Sequence, residues 1–151
     1  MKKSIIILAA MVTILFSCHS NKKSITGNRI KPDEKDWKIG IALYSFNKHP
    51  FIKAIAMADS ADIQYVEGFS FYNLGPEFNN LTFENINQEG VELMKSTLES
   101  KHIKMTSIYV NDTRGAEGWK RYFELGQIFN VEYLVGEPNK ESWGIIDSLA
   151  S

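Results

Sequence analysis

Three times in this chain a helix-like run ends in the same short phrase: Ala61-Asp62-Ile63-Gln64-Tyr65-Val66, Lys101-His102-Ile103-Lys104-Met105-Thr106 and Phe129-Asn130-Val131-Glu132-Tyr133-Leu134. The second position holds Asp, His or Asn, the side chains other than glycine that best tolerate the left-handed backbone at which helices stop. An apolar residue follows, then a polar one, then a β-prone run. A helix-to-strand joint repeated with one chemistry makes the chain a series of βα units. That restricts both the architecture and the places where chemistry can sit.

Strands are expected at 38–44, 65–69, 104–110 and 133–136. In the first, Ile39, Ile41 and Leu43 share one face and the small Gly40 and Ala42 the other, the pattern of a strand buried on both sides of a parallel sheet. His49-Pro50 opens a helix with a stripe of Phe51, Ile55 and Ala58, Ile52 beside them, and Asp62 ends it. A second helix over 86–101 carries Val91, Met94 and Leu98. A third buries Trp119, Tyr122, Phe123, Gly126 and Phe129, an aromatic stripe that reads as core and not as a cofactor box. Asn139 can cap a fourth, whose stripe is Trp143, Ile146 and Leu149. The aromatic and polar stretch 70–85, with a turn at Gly75-Pro76, is a loop of the length usually found functional or mobile.

The sum, β-α-β-α-β-α-β-α, implies an α/β fold with parallel pairing through right-handed crossovers. Two architectures fit: an open doubly wound sheet, or half of an eight-stranded barrel. The first βα joint, 44–49, carries no GxGxxG and no phosphate loop, which counts against the open sheet.

The N-terminus is of another kind. Lys2 and Lys3 precede an uncharged apolar run, 4–15, too short to span a bilayer of roughly 30 Å and suited to a secretory h-region. Cys18, the single cysteine of the 151 residues, follows Leu15-Phe16-Ser17. This resembles the bacterial lipoprotein signal, which implies a signal peptide over 1–17 and a lipid anchor on Cys18. The polar stretch 18–36 reads as a flexible tether. His19 after the cysteine, with no acidic cluster, points to the outer membrane facing the periplasm. One cysteine excludes an intramolecular disulfide. A formal net charge of −1 gives no electrostatic case for nucleic acid as a partner.

From Trp37 onward the strands carry a resemblance. Trp37 to Phe46 (WKIGIALYSF) is similar to the first strand of the sugar phosphate isomerase/epimerase family, the xylose isomerase-like TIM barrels. Gln64 to Phe69 (QYVEGF) is similar to its second strand, Ser100 to Met105 to its third, and Tyr133 to Pro138 (YLVGEP) to its fourth. The likeness covers residues 37–151. Asp62, His102 and Asn130 stand where the family usually has glycine. The resemblance implies a (β/α)8 TIM barrel of about 250 residues or more, of which this chain holds the first four βα units. Such a half barrel leaves two unpaired edges and a bare sheet face. The piece alone is expected to be inactive, and to aggregate or pair with a second copy.

Barrel enzymes place their chemistry at the C-terminal ends of the strands. Here that selects Tyr44 and Asn47, Glu67, Asn111 and Asp112, Glu137 and Asn139; substrate contacts are expected from Tyr44, Glu67, Asn111 and Glu137. The family commonly uses a divalent metal (Mn, Mg, Co or Zn) held by carboxylates and a histidine, and a pair of Glu residues that moves a proton. Those ligands come largely from later strands, so the main ones are expected beyond Ser151. Gly-Glu-Pro-Asn at 136–139 is similar to a strand end of hydroxypyruvate isomerases whose Glu binds metal, but that strand is the fifth. Glu137 is therefore a weak catalytic or metal candidate and a better substrate-binding or loop-fixing one. Glu67 is a substrate contact or a rim carboxylate bonded to a neighbouring strand. His49 precedes a helix and His102 lies in a turn at the opposite end, so neither is a site residue. The glycosylation patterns at Asn80 and Asn111 are set aside.

Two functions follow as expectations. One is a lipid-anchored isomerase or epimerase of a free sugar or oxidised sugar derivative, metal-dependent; export counts against a phosphorylated cytosolic substrate. The other is a carbohydrate-binding lipoprotein on the same barrel without catalysis.

Overall fold

The computed structural model describes residues 37–112 and 115–151. The expected signal peptide, the tether and Cys18 lie outside the described residues.

All three joints are helix stops of one kind. Asp62, His102 and Asn130 take φ values of 58, 53 and 49°. At each, the N–H of the left-handed residue reaches the carbonyl three back: Asp62 to Asp59, His102 to Glu99, Asn130 to Gln127. The next N–H reaches five back: Ile63 to Ala58, Ile103 to Leu98, Val131 to Gly126, each at 3.0 Å. This paired closure satisfies carbonyls that a helix end leaves open. It also explains the apolar third position, since Ile103 is buried and Ile63 and Val131 pack on the core. A side chain costs about 1–2 kcal/mol in this conformation, partly offset by the extra freedom a glycine adds to the unfolded chain. His102→Gly is expected to raise the unfolding free energy by about 0.5–1 kcal/mol, read from the denaturation midpoint at unchanged slope. A lower midpoint would refute it.

The elements are β1 (Gly40–Ala42), α1 (Phe51–Ser60), β2 (Tyr65–Phe69), α2 (Gln88–Ser100), β3 (Lys104–Val110), α3 (Ala116–Phe129), β4 (Tyr133–Gly136) and α4 (Trp143–Ala150). The strands form one parallel sheet in the order β1-β2-β3-β4. Right-handed crossovers between strands laid down without reversal bring every helix to the same face. A doubly wound sheet needs a reversal of order, and these four strands have none. The single core agrees: Val66, Met105, Ile108 and Val110 of the strands pack with Phe51, Ile55, Met94, Leu98, Trp119 and Leu125 of the helices. The opposite face carries Tyr65, Glu67, Phe69, Ser107 and Tyr109, half-buried, with Tyr133 and Val135 exposed.

Several expectations are corrected. The first strand is short and is not buried on both sides; it lies at the sheet edge, with Ile39 74% exposed. Its expected end, Leu43 to Tyr44, winds instead into a 3-10 turn over Leu43–Phe46, which drives Leu43 into the core. The loop after β2, expected to be functional or mobile, packs on the core and lends Phe71 to the cluster described below. Tyr72, Leu74, Phe78 and Phe83 are buried, Asn73 bridges Thr82, and Gly75 turns at φ 96° with its α-carbon against Pro50. α2 begins at Gln88, two residues later than expected, because the Asn87 Oδ1 accepts from the Gly90 N–H at 2.8 Å. Asn139 precedes a 3-10 turn over Lys140–Ser142 and does not cap α4 through its side chain. Trp143 is not in a buried stripe: it is exposed, and Ile146 and Leu149, with Ile145 beside them, reach the core edge.

Candidate functional site on the concave sheet face

With helices on one face, any site built by the strands lies on the other. Alternation along β2 puts Tyr65, Glu67 and Phe69 there together. In β3 a bulge intervenes: Val66 pairs with Met105, but Glu67 pairs with Ser107, skipping Thr106. The Ser107 hydroxyl consequently stands opposite Glu67 and donates to its Oε1 at 2.9 Å. Ser107 was not among the strand-end residues; an extra residue in one strand leaves no mark in a hydrophobic pattern.

Toward the C-terminal ends of the strands the face becomes aromatic. The Phe69 ring stacks on Tyr109 at 5.4 Å and lies 5.5 Å from Tyr44; Phe71 meets Tyr44, Phe69 and Tyr109 edge-on at 5.8, 5.7 and 6.3 Å. Tyr44 remains half exposed. The four rings make a partly open wall directly above the Glu67–Ser107 pair. Tyr44 was expected at the site. Phe69, Phe71 and Tyr109 were not, although the alternation of YVEGF carries the signal for Phe69.

The wall is held from behind. Ser70 is fully buried; its N–H donates to the Tyr109 carbonyl at 2.9 Å and its Oγ accepts from the Asn111 N–H at 3.2 Å. Asn111 thus serves through its backbone, with its side chain exposed. Arg121 of α3 donates to the carbonyls of Glu84 and Ile86 at 3.0 and 2.7 Å, and the Tyr122 hydroxyl donates to the Glu84 carboxylate at 3.0 Å. Burial pushes the Tyr122 phenol above its ordinary value, so it stays a donor. Asp112 and Asn139 join beyond β3 and β4, the amide donating to the carboxylate at 2.6 Å. Glu137 is exposed, one residue past β4. Asn47 closes the turn after β1 through its N–H to the Tyr44 carbonyl. Asn47, Asp112, Glu137 and Asn139 therefore lie at the strand ends as expected, while only Tyr44 and Glu67 have side chains in the cluster just described.

Among the described residues, no three His, Cys, Asp or Glu side chains come together to hold a metal ion. The carboxylates here do not make a ligand set.

At the other end of the strands the face is charged. Lys38, at the foot of β1, donates to both carboxylate oxygens of Glu132, at the foot of β4, and Lys104 of β3 donates to Glu132 at 3.2 Å. β1 and β4 are three strand spacings apart, about 14 Å in a flat sheet, and side chains leave such a sheet nearly perpendicular. A direct ion pair across that span requires the sheet to curl, with this face inside.

The Lys38 hydrogen bond, then that of Lys104, holds the Glu132 carboxyl below the usual range, and Glu132 in turn raises Lys38. A depressed carboxyl contributes stability above its unfolded value of about 4.3 and loses it as pH falls through the folded value. A raised amine contributes below about 10.4 and loses it as pH rises through its folded value. The ion pair is thus complete between those limits. Glu132→Gln is expected to lower the melting temperature by a constant amount from pH 5 to 10, the gap from the parent closing below pH 4. A gap that persists undiminished at pH 2.5 would contradict the assignment.

The fold and face define a class: a singly wound α/β chain with a curled parallel sheet. No protein-family model matches the chain, and no curated protein does. Among solved structures the chain is similar to an uncharacterised protein from Parabacteroides distasonis ATCC 8503, with a TM-score of 0.68 and 22% identity over 76% of this chain and 48% of that one. At this identity the likeness shows the fold alone. The chain spans about half the length of that structure.

Proposed function

We propose that the chain supplies the first four βα units of a (β/α)8 barrel of the sugar phosphate isomerase/epimerase family, which binds a free sugar or sugar derivative and isomerises or epimerises it. The observation that carries this reading is the wall of Tyr44, Phe69, Phe71 and Tyr109 above Glu67 and Ser107. Sugar rings present faces of C–H groups that pack on aromatic rings, and rims of hydroxyls that need hydrogen-bond partners. Glu67 retains more acceptor sites than one serine hydroxyl occupies. The curl of the sheet, the unreversed strand order and the strand motifs beginning at Trp37 support the barrel.

In this reading the rings orient the sugar, and Glu67 accepts from a hydroxyl beside the reacting carbon. The divalent metal and the second carboxylate of the proton transfer belong to strands that follow β4 in the barrel. Cys18 carries a lipid that anchors the protein to the outer membrane, facing the periplasm. A second reading, a carbohydrate-binding lipoprotein without catalysis, is favoured by one observation: Glu67 is already engaged by Ser107, as a binding residue would be.

The test is titration of the protein with unphosphorylated pentoses, hexoses and uronic acids, followed by tyrosine fluorescence and calorimetry. Saturable binding is expected. Exchange of a sugar C–H for deuterium in D2O with added Mn, Mg, Co or Zn by the complete barrel selects the enzyme; binding without exchange selects the second reading. No saturable response to any sugar would defeat both.

A further inference from the structure

The aromatic wall contains one ring that no strand holds. β1 ends at Ala42, and Tyr44 rides on the 3-10 turn over Leu43–Phe46. Such turns have poorer hydrogen-bond geometry than an α-helix, and this one has no side-chain cap. Two backbone bonds close it, from the Asn47 N–H to the Tyr44 carbonyl at 3.1 Å and from the His49 N–H to the Phe46 carbonyl at 2.8 Å. Leu43 is buried and seats the start of the turn, while its far end needs a second anchor. Tyr44 nevertheless stands in contact with its neighbours, 5.5 Å from Phe69 and 5.8 Å from Phe71.

The second anchor comes from the loop after β2. The Tyr72 hydroxyl donates to the carbonyls of Phe46 and His49, 26 and 23 residues earlier in the chain, its one proton shared between them. Among the described residues, no other side chain hydrogen-bonds to 43–50. Tyr72 is 4% exposed. A phenylalanine would fill that place with no polar group to satisfy, so packing does not account for the hydroxyl and its two acceptors do. The backbone of Tyr72 is fixed on both sides: its N–H donates to the Phe69 carbonyl and its carbonyl accepts from the Phe83 N–H, each at 3.0 Å. Tyr72 therefore runs from Phe69 and Phe71 to the turn that carries Tyr44. Burial pushes its phenol above the ordinary value, so the hydroxyl keeps its proton through the neutral range. None of these bonds is made at an open strand edge.

We propose that Tyr72 is the positioning residue of this wall: its hydroxyl holds the first turn so that Tyr44 stays in contact with Phe69 and Phe71, and it thereby sets how tightly the face binds sugar. The inference rests on the reading of the wall as a sugar site. A sugar ring gains from Tyr44 only while that ring stands in line with its neighbours. Where the turn opens, the apparent affinity falls with the fraction of molecules that keep the binding arrangement. Tyr72 itself is buried and reaches no sugar. It acts through Tyr44.

The experiment compares the parent protein with Tyr72→Phe, Tyr44→Ala and the double variant, each titrated calorimetrically with D-xylose, D-glucose and D-glucuronate beside a thermal melt. Tyr72→Phe is expected to weaken binding about 3- to 10-fold, the coupling of residues that act together. In the Tyr44→Ala background the same substitution should change affinity by less than about 1.5-fold, because the ring it positions is gone. Hydrogen exchange adds a readout that needs no sugar: the amides of Asn47 and His49 should exchange faster in Tyr72→Phe while those of α2 keep their protection. Unchanged affinity in Tyr72→Phe, or equal losses in both backgrounds, overturns the proposal, and so does unchanged exchange at 47 and 49. Exchange that rises throughout the sheet marks general loosening and overturns it as well. Faster exchange at the turn with no sugar bound by the parent instead defeats the sugar reading, and leaves Tyr72 a clamp of the turn alone.

Discussion

Phe51→Ala is expected to lower the unfolding free energy by about 3–5 kcal/mol, the cost of emptying a large aromatic site in a close-packed core. Phe51 opens α1, is fully buried, and meets Phe78 edge-on at 5.7 Å. Its N–H also donates to the Leu74 carbonyl at 3.0 Å, so ring and backbone together fasten α1 to the loop after β2. The neighbours cannot easily collapse into the void, because Pro50 is pressed against Gly75 and the loop is fixed by its own turn. Domains of this size hold only about 5–15 kcal/mol in total, so the variant should lose a large share of its stability. Urea denaturation followed by tryptophan fluorescence checks it, with Phe51→Leu expected to recover most of the loss. A cost below about 1 kcal/mol would mean that α1 is not seated as described.

Glu67→Gln is expected to weaken sugar binding about 10- to 100-fold, the equivalent of one hydrogen bond to a charged group at about 1.5–3 kcal/mol. The substitution keeps the shape of the side chain and an oxygen for the Ser107 hydroxyl, so the fold should be undisturbed. What it removes is the negative charge at the base of the aromatic wall. Calorimetric titration beside a thermal melt separates the two effects. Unchanged affinity with an unchanged melt would place the sugar elsewhere on the face and return Glu67 to the role of a strand-fixing carboxylate. A Ser107→Ala chain, which leaves the carboxylate in place, should lose far less affinity.

Much of the fold was legible because it is written in local chemistry. The left-handed positions at Asp62, His102 and Asn130 declare themselves by residue type, and the stripes of α1 and α2 follow from a period of 3.6, while α3 buries Leu125 and leaves the expected Phe123 outside the core. The end of β1 did not, since nothing in Ile39 to Tyr44 distinguishes a strand from a strand that winds away after Ala42. Trp143 reads as core by its spacing, but burial needs a neighbour, and a period cannot say whether one is present. The candidate site was half legible. Tyr44 and Glu67 follow from the barrel rule applied to single strands. Phe71, Tyr109 and Ser107 depend on how strands sit against one another, and the bulge at Thr106 decides which hydroxyl faces Glu67.

The three αL joints bear on how such a chain is made. Each closes with hydrogen bonds that span only three and five residues, so each helix can stop correctly before any distant part of the sequence exists. Parallel strand pairing is the slow, long-range step of folding in such proteins. As the chain leaves the ribosome, every βα unit can therefore wait as a finished hairpin-like segment whose next strand already starts in the right direction. Growth by whole units, one joint at a time, is the order of synthesis that this punctuation serves.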